Sequence, residues 1–401
     1  MKTYEKFNGK KILIWGYGRE GKSTERFLST FCRPESVDIF EGKREDINED
    51  LYDYIIKSPG IPAFGLGDKY TSQTQIFLEC YRDRTVGITG TKGKSTTSAL
   101  LHHVLVSAGY SALLLGNIGE PCLDHFGGIL DDTIVVFEMS CHQLATVTVS
   151  PHVAVFLNLY EEHLDYYKTV DRYFAAKCNI TKFQTADDFL FAGGNVPRLA
   201  TDAATVRIDF NTVPDYDMKI IGHHNNYNAH FVYRIATEIF SADEGAVRAA
   251  ISDFTGLAHR LQHVGSRNGI DFYDDSISTI PSAAIEAVNA VGNAKTVLIG
   301  GMDRGINYDA LIQFINSNRQ YNYIFSYDSG RRIYDSIIRT DNCHYRETLA
   351  EAVELAISIT PEGYAVILSP ASASYGFFKN FEERGDEFCR LCGLAPAAGR
   401  A

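Results

Sequence analysis

Apolar residues along this chain fall into short, dense runs that end at glycine and are separated by stretches of helical periodicity. The first run, Lys11-Ile12-Leu13-Ile14-Trp15, leads through glycines into a helical pattern that reaches Phe27 and Leu28. Val37-Asp38-Ile39-Phe40 and Tyr54-Ile55-Ile56 read as further strands, and Ser58-Pro59-Gly60-Ile61-Pro62 marks the loop after them. A second series opens with Thr85-Val86-Gly87-Ile88-Thr89, continues into a helix at 97–101, and places strands at 112–115, 133–137 and 153–157. From Leu257 the pattern restarts, with strands near 270–273, 296–299, 323–325 and 365–368 and helices at 282–291 and 348–357. Runs that are apolar throughout, rather than alternating, belong to parallel strands covered on both faces. Strand, helix, strand in this order implies right-handed crossovers, so the expected fold class is α/β with three domains, 1–84, 85–257 and 258–401.

Composition narrows this picture. A chain of 401 residues exceeds what one core usually organises. Its 45% hydrophobic and 22% charged residues suit a soluble globular protein. A formal net charge of −12 disfavours nucleic acid and anionic membranes as partners. The N-terminal Met1-Lys2-Thr3-Tyr4-Glu5-Lys6-Phe7 has no apolar stretch after its charges, and no run approaches membrane-spanning length, so a cytoplasmic location is expected. Eight cysteines at 32, 80, 122, 141, 178, 343, 389 and 392 show no disulfide framework. The CxxC at Cys389 and Cys392 lies in an expected C-terminal helix; a zinc site would need two further ligands at suitable spacing.

The strongest chemical signal is Gly90-Thr91-Lys92-Gly93-Lys94-Ser95-Thr96, between a buried strand and a helix. Glycines let backbone N–H groups converge on phosphate oxygens, and the helix N-terminus adds positive potential. Lys94 supplies a full charge, and a hydroxyl of Ser95 or Thr96 can reach Mg2+. The strict phosphate-loop pattern is not met, since Ile88 stands where its first glycine would be. Gly16-Tyr17-Gly18-Arg19-Glu20-Gly21 follows a strand, with Glu41 about twenty residues on, which is dinucleotide-binding spacing. A nicotinamide dehydrogenase would follow from it alone, but the first domain is too short for both halves of a full dinucleotide fold. Glu138 and His163 both follow strand carboxyl ends in the second series, where an open parallel sheet forms its ligand crevice, and can meet Mg2+ there. Lys177 lies on an amphipathic helix, and its spacing alone describes a solvated lysine.

Together these pieces resemble the Mur ligase family, which builds the peptide stem of peptidoglycan, and most closely its glutamate-adding branch. The resemblance spans nearly the whole chain. It is carried by Gly87 to Thr96, Gly116-Asn117-Ile118-Gly119, Glu138-Met139-Ser140-Cys141-His142-Gln143-Leu144 and Glu162-His163-Leu164-Asp165. Further on it rests on Gly222 to Ala229, His259-Arg260, Leu368 to Ser374 and Phe378 to Phe388. It implies a Rossmann-like N-terminal domain for a UDP-sugar, a central phosphate-loop ATPase domain, and a Rossmann-like C-terminal domain that receives the amino acid. The implied reaction joins glutamate, D-glutamate by family default, to UDP-N-acetylmuramoyl-L-alanine, with ATP and Mg2+, through an acyl phosphate. The implied enzyme is a monomer.

Carried over by position, the resemblance makes Lys94, Lys177 and His163 catalytic. It assigns ATP to residues 90–96 with Asn228, Arg260 and Asp275, and Mg2+ to Ser95, Glu138, His163 and Lys177, the last as a carbamylated lysine. It places Gly16, Gly18, Gly21, Ser58 and Asn117 at the UDP-sugar, and Thr279, Arg304, Ser374 and Phe381 at glutamate. The chain departs from the family where Asp274-Asp275-Ser276-Ile277-Ser278-Thr279-Ile280 stands for Asn-Asp-Ser-Lys-Ala-Thr-Asn. A lysine and an asparagine are therefore isoleucines, which opens two alternatives: a ligase adding L-glutamate, and a non-catalytic nucleotide-binding homologue.

Overall fold

The computed structural model describes residues 3–117, 120–162, 164–220 and 222–395. The chain divides into two compact units, one of Met1–Met218 with His223–Phe254, the other of Lys219–Gly222 with Thr255–Ala401.

The first unit holds two sheets. The smaller contains β1 (Lys11–Trp15), β2 (Ser36–Phe40), β3 (Tyr54–Lys57) and β4 (Tyr70–Thr71), in the order β2-β1-β3-β4 and parallel throughout. The larger contains β5 (Thr85–Thr89), β6 (Ala112–Gly116), β7 (Ile134–Glu138), β8 (Val153–Phe156), β9 (Phe189–Gly193) and β10 (Ala204–Ile208). Its order is β10-β9-β8-β5-β7-β6, again all parallel. Every residue of β5, β7 and β8 is buried, as strands covered on both faces require. Phe77, Phe137, Phe156, Leu144 and Ile180 belong to the core that runs beneath both sheets.

Strand order fixes where ligands can enter. In the small sheet β1 lies between β2 and β3, and in the large one β5 lies between β7 and β8. The connections from β1 and from its neighbour β3 leave toward opposite sides, as do those from β5 and from β8, so a crevice can open at these carboxyl ends. Residues 16–21 follow β1 and residues 90–96 follow β5.

The second unit has one sheet: β11 (Gln262–Arg267), β12 (Ile270–Asp274), β13 (Ala294–Ile299), β14 (Asn322–Ser326), β15 (Cys343–Arg346) and β16 (Ala365–Leu368). The order is β11-β12-β16-β13-β14-β15, parallel except for β11 against β12. Strands β4, β9, β10, β11 and β15 go beyond those read from the sequence. Arg207 in β10, and His263 and Arg267 in β11, give edge strands a polar character that a search for apolar runs passes over. The helix Phe381–Leu391 contains Cys389, with Cys392 at its end. All eight cysteines are free thiols, and these two pack into the second unit's core.

Candidate nucleotide and acyl-transfer site

The loop at residues 90–96 is held by three hydrogen bonds to Asn158. Lys92 N–H donates to Asn158 Oδ1 at 2.9 Å, Asn158 Nδ2 returns a bond to Lys92 O at 3.0 Å, and Thr91 N–H reaches Asn158 O at 3.0 Å. Asn158 lies just past β8 and thus clamps the loop to the neighbouring strand. Gly93 sits at φ +83°, and a Cβ there would lie 2.7 Å from Asn228 Oδ1, so glycine is required by both backbone and space. The same contact brings Asn228, from the helix His223–Glu238, against the loop. Ser95 and Thr96 occupy the second and third positions of the helix Lys94–Ser107, among its unpaired N-terminal N–H groups.

Two lysines meet at this loop. Lys94 Nζ donates to Gly90 O at 3.0 Å and Thr91 O at 2.9 Å. Lys177 Nζ donates to Gly90 O at 2.9 Å and Thr89 Oγ1 at 3.2 Å, and lies 4.9 Å from the centre of the Tyr173 ring. The expectation from spacing, a solvated Lys177, is corrected here: the side chain is only 1% exposed. The helix Val170–Cys178 turns it inward, where the Gly90 carbonyl, the Thr89 hydroxyl and the Tyr173 face receive its ammonium. Burial, reinforced by the charge of Lys94, pushes Lys177 down to about 7, against the opposing pull of Cys141, Glu162 and Glu138. Burial also lowers Lys94, opposed chiefly by Glu138.

Glu138 ends β7 and is fully buried. One carboxylate oxygen accepts from Asn117 Nδ2 at 2.7 Å, while the other finds no hydrogen-bond partner among the described residues. A buried carboxylate oxygen without a donor is the form of site a cation completes. Asn117, expected at a sugar, therefore also orients Glu138. His163 lies outside the described residues; its neighbour Glu162 is 3.6 Å from Lys92.

At the carboxyl end of β1, Gly16, Gly21 and Ser58 converge. Ser58 Oγ donates to Gly16 O at 2.9 Å. A Cβ on Gly16, at φ +91°, would lie 2.8 Å from Ser58 Oγ, and one on Gly21 would lie 2.2 Å from Gly16 O. Gly18 differs: nothing lies within 4 Å of where its Cβ would be, and it starts the helix Arg19–Phe31 without a side-chain cap. The open side of the loop is thus at Gly18, over a helix N-terminus.

In the second unit, Asp275 follows β12 and is 4% exposed. It accepts from Leu261 N at 3.1 Å and Ser369 Oγ at 2.7 Å, while burial raises it to about 6. Arg260 is exposed. Arg304 Nη2 donates to Thr279 O at 3.4 Å, linking two residues expected at the amino acid. Ser374 is buried, and Phe381 opens the helix Phe381–Leu391 with its carbonyl accepting from Ser276 Oγ at 2.8 Å.

Sequence reasoning assigned no role to Arg384, which organises this region. Its guanidinium, 1% exposed, donates to Ser276 Oγ at 3.0 Å, Ser276 O at 2.7 Å and Ser372 O at 3.0 Å. It thereby ties together the altered 274–280 segment, the loop after β16 and the last helix. His259 pairs with Asp274 at 2.7 Å. A Cβ on Gly385 would lie 2.2 Å from His259 Nδ1, so Arg384-Gly385 is a packing signal that a residue-by-residue reading leaves out. Asn158, Tyr173 and Gln143 were likewise not singled out; a polar residue just past a strand's carboxyl end was the available signal for Asn158.

Comparison with known proteins identifies the family. Residues 88–207 match the Mur ligase middle domain. A UDP-N-acetylmuramoyl-L-alanine–L-glutamate ligase of Salinispora tropica is 31% identical over 95% of this chain and 97% of its own length. A UDP-N-acetylmuramoylalanine–D-glutamate ligase of Streptococcus mutans is 30% identical over 97% and 98%. Among solved structures, the MurF ligase of Thermotoga maritima in complex with ADP superposes with a TM-score of 0.57, at 17% identity over 84% of this chain and 91% of that one. The UDP-N-acetylmuramate–alanine ligase MurC of Thermotoga maritima gives 0.53, at 19% identity over 90% and 96%. With relatives this similar over nearly their whole length, the chain belongs to the Mur ligase family of ATP-dependent ligases.

Proposed function

We propose that this enzyme joins glutamate, as the D-enantiomer, to UDP-N-acetylmuramoyl-L-alanine in peptidoglycan precursor synthesis, releasing ADP and phosphate. The observation that carries the reading is the convergence of Lys94 and Lys177 on Gly90 O, in the unit where Glu138 keeps a buried oxygen unpartnered. A carboxylate is a poor acyl donor. In the proposed reaction an oxygen of the alanyl carboxylate attacks the γ-phosphorus of ATP, giving an acyl phosphate and ADP. The glutamate amine then adds to the acyl carbon, loses a proton, and phosphate departs as the amide forms. Negative charge moves from the γ-phosphate to the leaving phosphate, and Lys94, with the N–H groups of residues 90–96, stays beside it throughout.

Oxygen donors at Glu138 and the hydroxyls of Ser95 or Thr96 suit Mg2+, which when bound would neutralise phosphate charge. His163 is assigned to the same ion. Burial favours the neutral amine of Lys177, which can add CO2 with loss of one N–H proton to become a carbamate, as carbamylation of this residue requires. Asn228, Arg260 and Asp275 are assigned to ATP; Gly16, Gly18, Gly21, Ser58 and Asn117 to the UDP-sugar; and Thr279, Arg304, Ser374 and Phe381 to glutamate. The three-domain partition at 84 and 257, a monomeric state and a cytoplasmic location complete the proposal; among the described residues no helix is long and apolar enough to cross a membrane.

One observation favours a second reading, in which L-glutamate is added: the Salinispora tropica relative carries that name, and Ile277 and Ile280 stand in the segment that also holds Thr279. A coupled phosphate-release assay with ATP, Mg2+ and UDP-N-acetylmuramoyl-L-alanine decides between them. Release that depends on D-glutamate is expected. Release with the L-enantiomer alone selects the second reading, and none with either sinks both.

A further inference from the structure

The acidic residue inside the first glycine loop needs an explanation. Glu20 is the second residue of the helix Arg19–Phe31, at the end of the helix where a diphosphate would dock, and a free carboxylate there would repel it. Its side chain is instead tied into the large sheet's side of the unit. Gln143 Nε2, on a side chain that is 4% exposed, donates to Glu20 Oε1 at 3.1 Å. The backbone beside the acid is held as well, with Glu20 O accepting from Gln73 Nε2 at 3.2 Å and Thr24 Oγ1 at 2.9 Å. Behind the loop Lys57, 2% exposed, donates to Ser58 O at 3.2 Å; burial pulls it down to about 8, and the charge of Glu20 opposes that loss of its proton.

Gln143 is itself a member of the turn that follows Glu138. Its Oε1 accepts from Ser140 N at 3.0 Å, and its own N–H donates to Ser140 Oγ at 3.2 Å, closing a reciprocal cap on the turn Cys141–Leu144. Just before it, Met139 N donates to Ile88 O at 2.8 Å, and Met139 O accepts from Thr89 Oγ1 at 2.8 Å. Thr89 Oγ1 in turn receives Lys177 Nζ. An unbroken chain of hydrogen bonds therefore runs from the loop after β1, through Gln143 and the turn after Glu138, to the phosphate loop after β5.

We propose that Glu20 is a positioning residue that couples the two loops, so that a uridine diphosphate group seated at residues 16–21 fixes the Glu138 turn through Gln143 and tightens nucleotide binding at residues 90–96. This rests on the reading of the first loop as the UDP end of the acceptor. Coupling of this kind is reciprocal, so it is measurable from either ligand.

Calorimetric titration of the full chain with ADP and Mg2+, with and without saturating UDP-N-acetylmuramoyl-L-alanine, tests it. The unmodified enzyme should bind ADP about tenfold more tightly when the acceptor is present. Glu20→Ala and Gln143→Leu should each reduce that factor to within about twofold, and the double variant should lose no more than either alone. Glu20→Gln keeps an oxygen for Gln143 and should retain most of the coupling, which a merely structural role for the charge would not allow. An undiminished factor in Glu20→Ala, additive losses in the double variant, or no coupling in the unmodified enzyme overturns the proposal. Should Glu20→Ala fail to fold, Gln143→Leu decides by the same criterion. A titration in which the acceptor itself does not bind overturns the functional reading instead, and is read directly from its own heat.

Discussion

Charge is handled differently at the carboxyl end of β5 and at the carboxyl ends of β12, β13 and β16. Around β5 the charged groups retain unused capacity: Lys94 donates to two backbone carbonyls, Lys177 to one carbonyl and a hydroxyl beside the Tyr173 ring, and one oxygen of Glu138 has no partner among the described residues. In the second unit Arg384 spends three donors on Ser276 and Ser372, His259 is matched to Asp274, and Asp275 is held by Leu261 and Ser369. Groups with capacity to spare can follow a migrating phosphoryl charge, whereas committed groups shape loops. On the proposed reading, chemistry belongs to the first region, and the second region contributes mainly the shape of its loops.

The largest effect that would break this contrast is at Lys94. Lys94→Ala should lower glutamate-dependent phosphate release by about 10³-fold or more, with an unchanged circular dichroism spectrum. An intact rate would place the chemistry elsewhere. Glu138→Gln keeps an oxygen for Asn117 but removes the charge, and should lower kcat by about 10²-fold, with partial recovery at raised Mg2+. Equal activity at all Mg2+ concentrations would show that the unpartnered oxygen serves no cation.

Effects in the second unit should appear in stability first. Asp275 has a folded-state value of about 6 against an ordinary 3.8, so between these values the folded protein holds the proton more firmly than the unfolded one. Its contribution to stability is therefore present at acid pH and is lost as pH rises through about 6. Asp275→Asn should remove that loss, making urea unfolding of the second unit less pH-dependent by on the order of 2 kcal/mol between pH 4 and about pH 8. An unaltered pH dependence would contradict the assignment of burial as the cause. The smallest effect separates two glycines of one motif. Gly18→Ala should change stability by about 0.5 kcal/mol or less, whereas Gly21→Ala, whose Cβ would meet Gly16 O at 2.2 Å, should destabilise by more than about 1 kcal/mol.

Sequence legibility follows the same division. Strands β5, β7 and β8 were readable because burial on both faces leaves continuous apolar runs, and the loop at residues 90–96 because its glycines and lysines follow a recognisable spacing between strand and helix. The edge strands β10 and β11 were not, since one side of each has no neighbouring strand and polar residues are tolerated there. Lys177 shows the limit of local spacing: its helix is amphipathic, but the groups that receive its ammonium, Thr89 and Gly90, lie far away in sequence. Arg384 was opaque for the same reason, because its acceptors belong to loops after two other strands.

The central claim is that the residues around β5 activate a carboxylate by phosphorylation. Acceptor labelled with ¹⁸O in its alanyl carboxylate, turned over with ATP, Mg2+ and glutamate, tests it most directly through the mass of the released phosphate. An acyl-phosphate route carries one labelled oxygen into phosphate at each turnover. Phosphate released without label, while amide product accumulates, would contradict the account.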